Sequence, residues 1–192
     1  MDSELTLKTD RLVLRPITVE DVDVVYPYMN DPEISRYMSW NAHSNRDETH
    51  AVLERLEAET RSGKAYTWAI VRASEFCGII SLISILRTHR ALTYDRAELA
   101  YWLGREFRGQ GIMTEAASRV IDFAFNRLGL HRLTVSHVTE NAASESLITR
   151  LNFTYIGEER EAFQKAGKWF HHKLYDLLAT DVRGRGPAGS QG

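Results

Sequence analysis

Between Arg105 and Ala116 the chain reads REFRGQGIMTEA, which sets Gly109 and Gly111 one residue apart, after an apolar run and before a long amphipathic segment. A strand-to-helix junction is a place where chemistry gathers. The first N–H groups of a helix have no intrahelical partner and its N-terminus carries a partial positive charge, so anionic oxygens sit well there. Glycine lets the backbone come close to such an anion and accepts the positive φ values that a concave nest of N–H groups needs. Arg108 adds a forked cationic donor at the rim. The same spacing also suits a plain loop before a helix, and spacing alone does not separate the two. Nor does it give the ligand. A Rossmann fingerprint needs a third glycine where Thr114 stands, and a P-loop needs a Gly-Lys-Ser/Thr run that is absent.

Two other side chains have reactive types in telling places. Glu98 lies on the strand that leads into the glycine stretch, with Ala100 and Trp102 on its own face. Apolar neighbours raise a carboxyl pKa, although an ordinary strand-edge charge near Arg96 fits the pattern equally well. Ser144 follows Asn141 by three residues and shares a helix face with Leu147, Ile148 and Leu151, so its hydroxyl points inward. By itself that pattern suits a small buried serine bonded to its own helix. His171 and His172, like His131 and His137, invite a metal reading, but adjacent strand residues face opposite sides and neither pair has a Cys or carboxylate at ligand spacing. No metal is expected. The single cysteine, Cys77, sits in an apolar run and has no partner for an internal disulfide.

These residues need elements to hold them. Leu12 and Leu14 alternate with polar neighbours in RLVLRPI (Arg11 to Ile17), a strand that Pro16 ends. Thr18 and Asp21 form a capping-box pattern before a helix over Val19 to Met29, stopped by Asn30 to Pro32. A second helix is expected over Arg46 to Arg61, closed at Gly63. Strands follow over Tyr66 to Val71, Phe76 to Leu86 and Thr93 to Leu103. From Met113 to Leu128 apolar residues recur at three and four residue steps, and Gly129 stops this helix. A strand over His131 to Val138, a short helix over Asn141 to Leu151 and strands over Phe153 to Glu158 and Trp169 to Leu178 complete the order. The pattern predicts an α+β fold: helices around a mixed, mostly antiparallel sheet, with a parallel pair possible across the central helix.

Composition bounds the rest. The 192 residues, 43% hydrophobic and 26% charged, suit one domain over residues 1–182, and the glycine-rich 183–192 reads as a disordered tail. A formal charge of −2 gives no excess of cations for tracking nucleic acid. The N-terminus lacks a signal-peptide pattern and no apolar run is long enough to span a membrane, so a cytoplasmic location is expected.

Taken together, RGQGIMTEA, the preceding AELAYWLGREF, the downstream TENAASESLITRLNFTYIGEER and the opening LKTDRLVLRPIT resemble the GNAT superfamily of acyl-CoA N-acyltransferases, in its RimJ/RimL-type branch. The resemblance spans about Thr6 to Asp176, with Glu106 where the superfamily often has Gln or Arg, and Ala100 where a glycine is common. It implies a six- to seven-stranded sheet with about four helices, splayed at the fourth strand. It further implies that Arg108, Gly109, Gln110, Gly111, Ile112, Met113 and Thr114 hold the pyrophosphate of acetyl-CoA, that Tyr101, Trp102 and Leu103 pair with the pantetheine arm, and that Asn141 contacts the cofactor. Ser144 would protonate the leaving sulfur, and Glu98 would relay a proton from the amine through water. From the residues alone, the aromatic loop over Arg36 to Glu48, with Tyr37 and Trp40, could wall the acceptor side or pack against the sheet, and the sequence does not separate the two. The reaction so implied is direct attack by a primary amine in a ternary complex. The acceptor would be a protein N-terminal α-amine or a small amine such as an amino acid, polyamine or antibiotic, and the enzyme a monomer or homodimer. A non-catalytic acyl-CoA sensor is the rival reading.

Overall fold

The structure, a computed structural model, describes residues 2–183. Of the expected tail 183–192, Arg183 closes a helix and residues 184–192 lie outside the described residues. The elements are α1 (Asp2–Leu5), β1 (Leu7–Lys8), β2 (Val13–Pro16), α2 (Val22–Met29), α3 (Pro32–Ser35), α4 (Arg46–Arg61), β3 (Tyr66–Arg72), β4 (Glu75–His89), β5 (Leu92–Leu103), α5 (Ile112–Asp122), β6 (Arg132–Val138), α6 (Ala142–Arg150), β7 (Thr154–Lys165), β8 (Lys168–Leu178) and α7 (Ala179–Arg183). The strands form one eight-stranded sheet in the order β1-β2-β3-β4-β5-β6-β8-β7. Pairs β1–β2, β2–β3, β3–β4, β6–β8 and β7–β8 are antiparallel and β5–β6 is parallel, so the sheet is mixed and the class is α+β. The seven expected strands are all present, and the two-residue β1 is the eighth.

The chain divides into two compact units: described residues of Met1–Ser84 with Leu99–Val120, and of Ile85–Glu98 with Ile121–Gly192. In the first unit, α2 and α4 pack on the sheet around Ile17, Val25, Met29, Leu53, Ala69 and Trp102. The entry into α2 follows the capping-box pattern, with the Thr18 N–H donating to Asp21 Oδ2 at 2.9 Å. Pro32 does more than stop a helix. It occupies the first turn of α3, whose cap Asp31 accepts from the Glu33 N–H at 2.8 Å. Pro is well suited there because that N–H needs no intrahelical partner. The hairpin between β3 and β4 turns on Ala73 and Ser74, both at positive φ (48° and 68°). The turn of this type matches the strand twist even without glycine.

In the second unit, β6 pairs with β8 over its full length from Arg132 to Val138, and β8 pairs with β7. The parallel ladder between β5 and β6 matches Arg96 with Arg132, Ala97 with Leu133 and Glu98 with Thr134. Among the described residues it ends there, although β5 runs on to Leu103 and β6 to Val138. β5 is the fourth strand of the sequence count, where a splay was expected. After α5 the helix continues as a π segment over Phe123–Arg127, with the Leu128 N–H donating to Phe123 O at 3.0 Å. Phe123, Ala124 and Phe125 are all buried, and the wider turn brings three consecutive residues inward. β7 outruns its expected end at Glu158 and reaches Lys165, with a register shift between Glu159 and Phe163.

Candidate active site

The glycine stretch leaves β5 through Gly104, whose N–H donates to Cys77 O at 2.8 Å. Arg105–Phe107 make one 3-10 turn that buries Phe107, and then Gly109 and Gly111 take φ of +73° and +75°. These are the left-handed values that a nest of N–H groups requires. A Cβ on Gly109 would meet nothing within 4 Å, so the space beside it is open and a side chain would fill it. The Glu115 N–H donates to Gly111 O at 3.0 Å at the start of α5, and the Arg108 N–H donates to Arg105 O at 3.2 Å. Ile112 and Met113 are buried, so their side chains anchor the turn and what they can offer a ligand is backbone. Arg108 is exposed, and Thr114 is half-buried. A loop with this backbone fits a diphosphate.

Gln110 is held from several sides. Its Nε2 donates to Glu106 O at 2.7 Å, its Oε1 accepts from Arg72 Nη1 at 2.6 Å, and its carbonyl accepts from Arg11 Nη1 at 3.2 Å. Glu106 in turn accepts from the Tyr28 hydroxyl at 2.7 Å, and burial together with this carboxylate pushes the Tyr28 phenol well above its ordinary pKa. Arg105 pairs with Asp31 at 3.1 Å. Sequence reading missed Arg11, Arg72 and Tyr28, because they reach the loop from positions far away in the chain.

The remaining candidates of the first unit lie on β5 and after α3. Trp102 puts its ring in the core, 5.8 Å from Tyr28 and 5.9 Å from Phe76 between ring centroids, so it has backbone rather than side chain to offer a pantetheine arm. Tyr101 and Leu103 are half-buried. Trp40 packs against the core of this unit and meets His43 edge-on at 5.7 Å, the packing alternative for the aromatic loop. Tyr37 lies under the Arg36 guanidinium at 5.2 Å.

The second unit holds Glu98, Asn141 and Ser144. Burial pushes the Glu98 carboxyl up, the direction that apolar neighbours impose. Asn141 caps α6, its Oδ1 accepting from the Ser144 N–H at 3.2 Å, so these two residues share one turn. Ser144 is buried at 9% exposure. Beside it Glu145 accepts from Lys173 Nζ at 2.6 Å, which draws its carboxyl below the usual range. The buried His137 bonds Val138 O through Nδ1 at 2.8 Å and stacks on Tyr175. Among the described residues no group of three or more His, Cys, Asp or Glu is placed to hold a metal ion. No helix there is long and apolar enough to cross a membrane.

The profile of the Acetyltransferase (GNAT) domain matches residues 11–154, and the chain belongs to that family. It is an N-acetyltransferase with acetyl-CoA as co-substrate. Over 181 residues it is 29% identical to the Uncharacterized N-acetyltransferase p20 of Bacillus licheniformis, covering 93% of this chain and 99% of the relative. It is also 24% identical to the [Ribosomal protein uS5]-alanine N-acetyltransferase of Escherichia coli (strain K12) over 187 residues, 93% of each chain. In fold it is similar to RimL, a ribosomal L7/L12 alpha-N-protein acetyltransferase solved in complex with coenzyme A, with a TM-score of 0.84, 20% identity and coverage of 92% and 99%.

Proposed function

We propose that this enzyme acetylates the α-amine at the N-terminus of a protein, by direct attack of that amine on the thioester of acetyl-CoA. The observation that supports this acceptor is the match over 93% of both chains with the [Ribosomal protein uS5]-alanine N-acetyltransferase of Escherichia coli (strain K12). The co-substrate supplies an acyl carbon already activated by a thiol leaving group. The chain must then bind the anionic end, take a proton from the amine and give one to the thiolate.

Backbone amides of Gly109, Gln110, Gly111, Ile112, Met113 and Thr114 take the diphosphate, favoured by the α5 N-terminus, and Arg108, whose N–H closes the turn on Arg105 O, adds its guanidinium at the rim. Backbone of Tyr101, Trp102 and Leu103 pairs with the pantetheine arm, and Asn141 contacts the cofactor with the part of its amide not used in capping. Ser144 Oγ–H gives its proton to the sulfur as the C–S bond breaks. Glu98, whose raised pKa makes it a better base than an exposed carboxylate, receives the amine proton through water as the C–N bond forms. Tyr37 is assigned to the acceptor side, and Trp40 supports it from the core. On this reading the enzyme works in the cytoplasm.

The test is free-thiol release with peptides. A peptide with a free N-terminal alanine or serine should be acetylated. The same peptide with a blocked N-terminus and an internal lysine should not, and spermidine should be poor. Turnover of spermidine or the lysine peptide above the free N-terminus contradicts the proposal, and turnover of none of them favours a sensor.

A further inference from the structure

Arg11 stands where the N-terminal segment meets the glycine loop. Its backbone N–H donates to Glu115 Oε1 at 3.0 Å, its Nε donates to Glu115 Oε2 at 2.7 Å and its Nη1 donates to Gln110 O at 3.2 Å. Thr9 Oγ1 adds a bond to Glu115 Oε1 at 2.5 Å. Burial alone would push the Glu115 carboxyl up, but these hydrogen bonds and the guanidinium charge prevail and hold it below the usual range. The carboxylate is therefore charged, in the first turn of α5.

Two consequences follow from elementary geometry and charge. The peptide bonds of the described residues are trans, and in a trans peptide the carbonyl and the following N–H point in opposite directions. With the Gln110 carbonyl turned toward Arg11, the Gly111 N–H is turned away from it. A Cβ on Gly111 would lie 3.4 Å from Arg11 Nη2, so the glycine also leaves the guanidinium its room. Glu115, meanwhile, places a negative charge close to amides suited to an anion, and like charges repel. The Arg11 guanidinium, whose Nη2 stands 2.6 Å from the same Glu115 Oε2, offsets that charge. Arg72, through Gln110 Oε1, holds the same residue by its side chain.

We propose that Arg11 is a positioning residue for the diphosphate of the acetyl donor: it aims the Gly111 N–H and neutralises Glu115. The inference rests on the reading of the glycine loop as the seat of that diphosphate.

The experiment compares two donors by calorimetry, acetyl-CoA and S-acetylpantetheine, which carries the same thioester arm without the diphosphate. Arg11→Gln should weaken acetyl-CoA binding by roughly tenfold or more, the loss of one charge-assisted bond, and leave S-acetylpantetheine within about twofold. Adding Glu115→Gln to Arg11→Gln should recover part of the loss, and Arg11→Lys should fall between. Equal weakening of both donors, or none with acetyl-CoA, would overturn the inference. If Arg11→Gln does not fold, Glu115→Gln alone decides: it should bind acetyl-CoA at least as tightly as the wild type, and weaker binding to acetyl-CoA alone would count against the role. A wild type that binds the two donors equally would instead remove the diphosphate reading itself.

Discussion

The carbonyl oxygen of Trp102 lies 2.3 Å from the place where a Cβ on Gly78 would stand, and the Leu103 Cα lies 2.9 Å from it. β4 and the end of β5 meet so closely that only glycine fits between them. The obstruction is backbone and cannot swing aside as a side chain would. Gly78→Ala should therefore destabilise the protein by about 1–3 kcal/mol, the usual cost of overpacking, read as a lower midpoint in thermal unfolding. An unchanged midpoint would mean that the strands are free to separate at Trp102.

Gly109 and Gly129 offer a matched pair. Both have positive φ, +73° and +66°, and a Cβ on either would meet nothing within 4 Å. Alanine at either place should cost about 1 kcal/mol or somewhat more, from backbone strain alone. Only Gly109→Ala should also weaken acetyl-CoA binding, because only there would the methyl occupy the proposed diphosphate seat. Equal coenzyme affinity in the two variants would dissociate the glycine loop from coenzyme binding.

Ser144 and Asn141 share a turn and should separate cleanly. Ser144→Ala should lower kcat by roughly 100-fold or more if its proton meets the leaving thiolate, with coenzyme affinity little changed. Asn141→Ala removes a helix cap and should cost about 1 kcal/mol of stability. A Ser144→Ala variant with wild-type kcat would return this serine to a packing role.

Glu98 carries a pH prediction. Its folded pKa is raised by burial, so its contribution to stability is full below the unfolded carboxyl pKa and is lost as pH rises through the folded value. Above the folded value the charged carboxylate is a burden. Glu98→Gln should then raise the unfolding midpoint at pH 7, flatten its dependence on pH across the acid range and lower kcat. A variant less stable than the wild type at pH 7 would show that the charged form is favourably held.

The regular elements were legible because their causes are local. Leu12 and Leu14 alternate, Thr18 and Asp21 are three apart, and apolar residues from Ala116 to Leu128 recur at helical spacing. That same spacing hides the π segment, since Ala124 and Leu128 fit an α-helical face and only the bond from the Leu128 N–H to Phe123 O shows the wider turn. Pro32 reads as a stop although it also starts α3. The glycine nest was legible from Gly109 and Gly111, whereas its braces were not. Arg11 and Glu115 are separated by 104 residues, and Arg72 and Gln110 by 38, so no local pattern joins them. Trp40 shows the same limit: the sequence left an acceptor wall and packing open for its loop, and only the structure shows Trp40 against the core of its unit.

The most direct test of the account is the thermal unfolding midpoint of the purified protein with acetyl-CoA, with ATP as the control anion. At about 100 times its Kd, a ligand that binds only the folded state adds roughly 2.7 kcal/mol of stability. Acetyl-CoA should give a clear upward shift and ATP little, and the shift should be lost in Gly109→Ala at the same concentration. No shift with acetyl-CoA, or an equal shift with both, would contradict a coenzyme seat in the glycine loop.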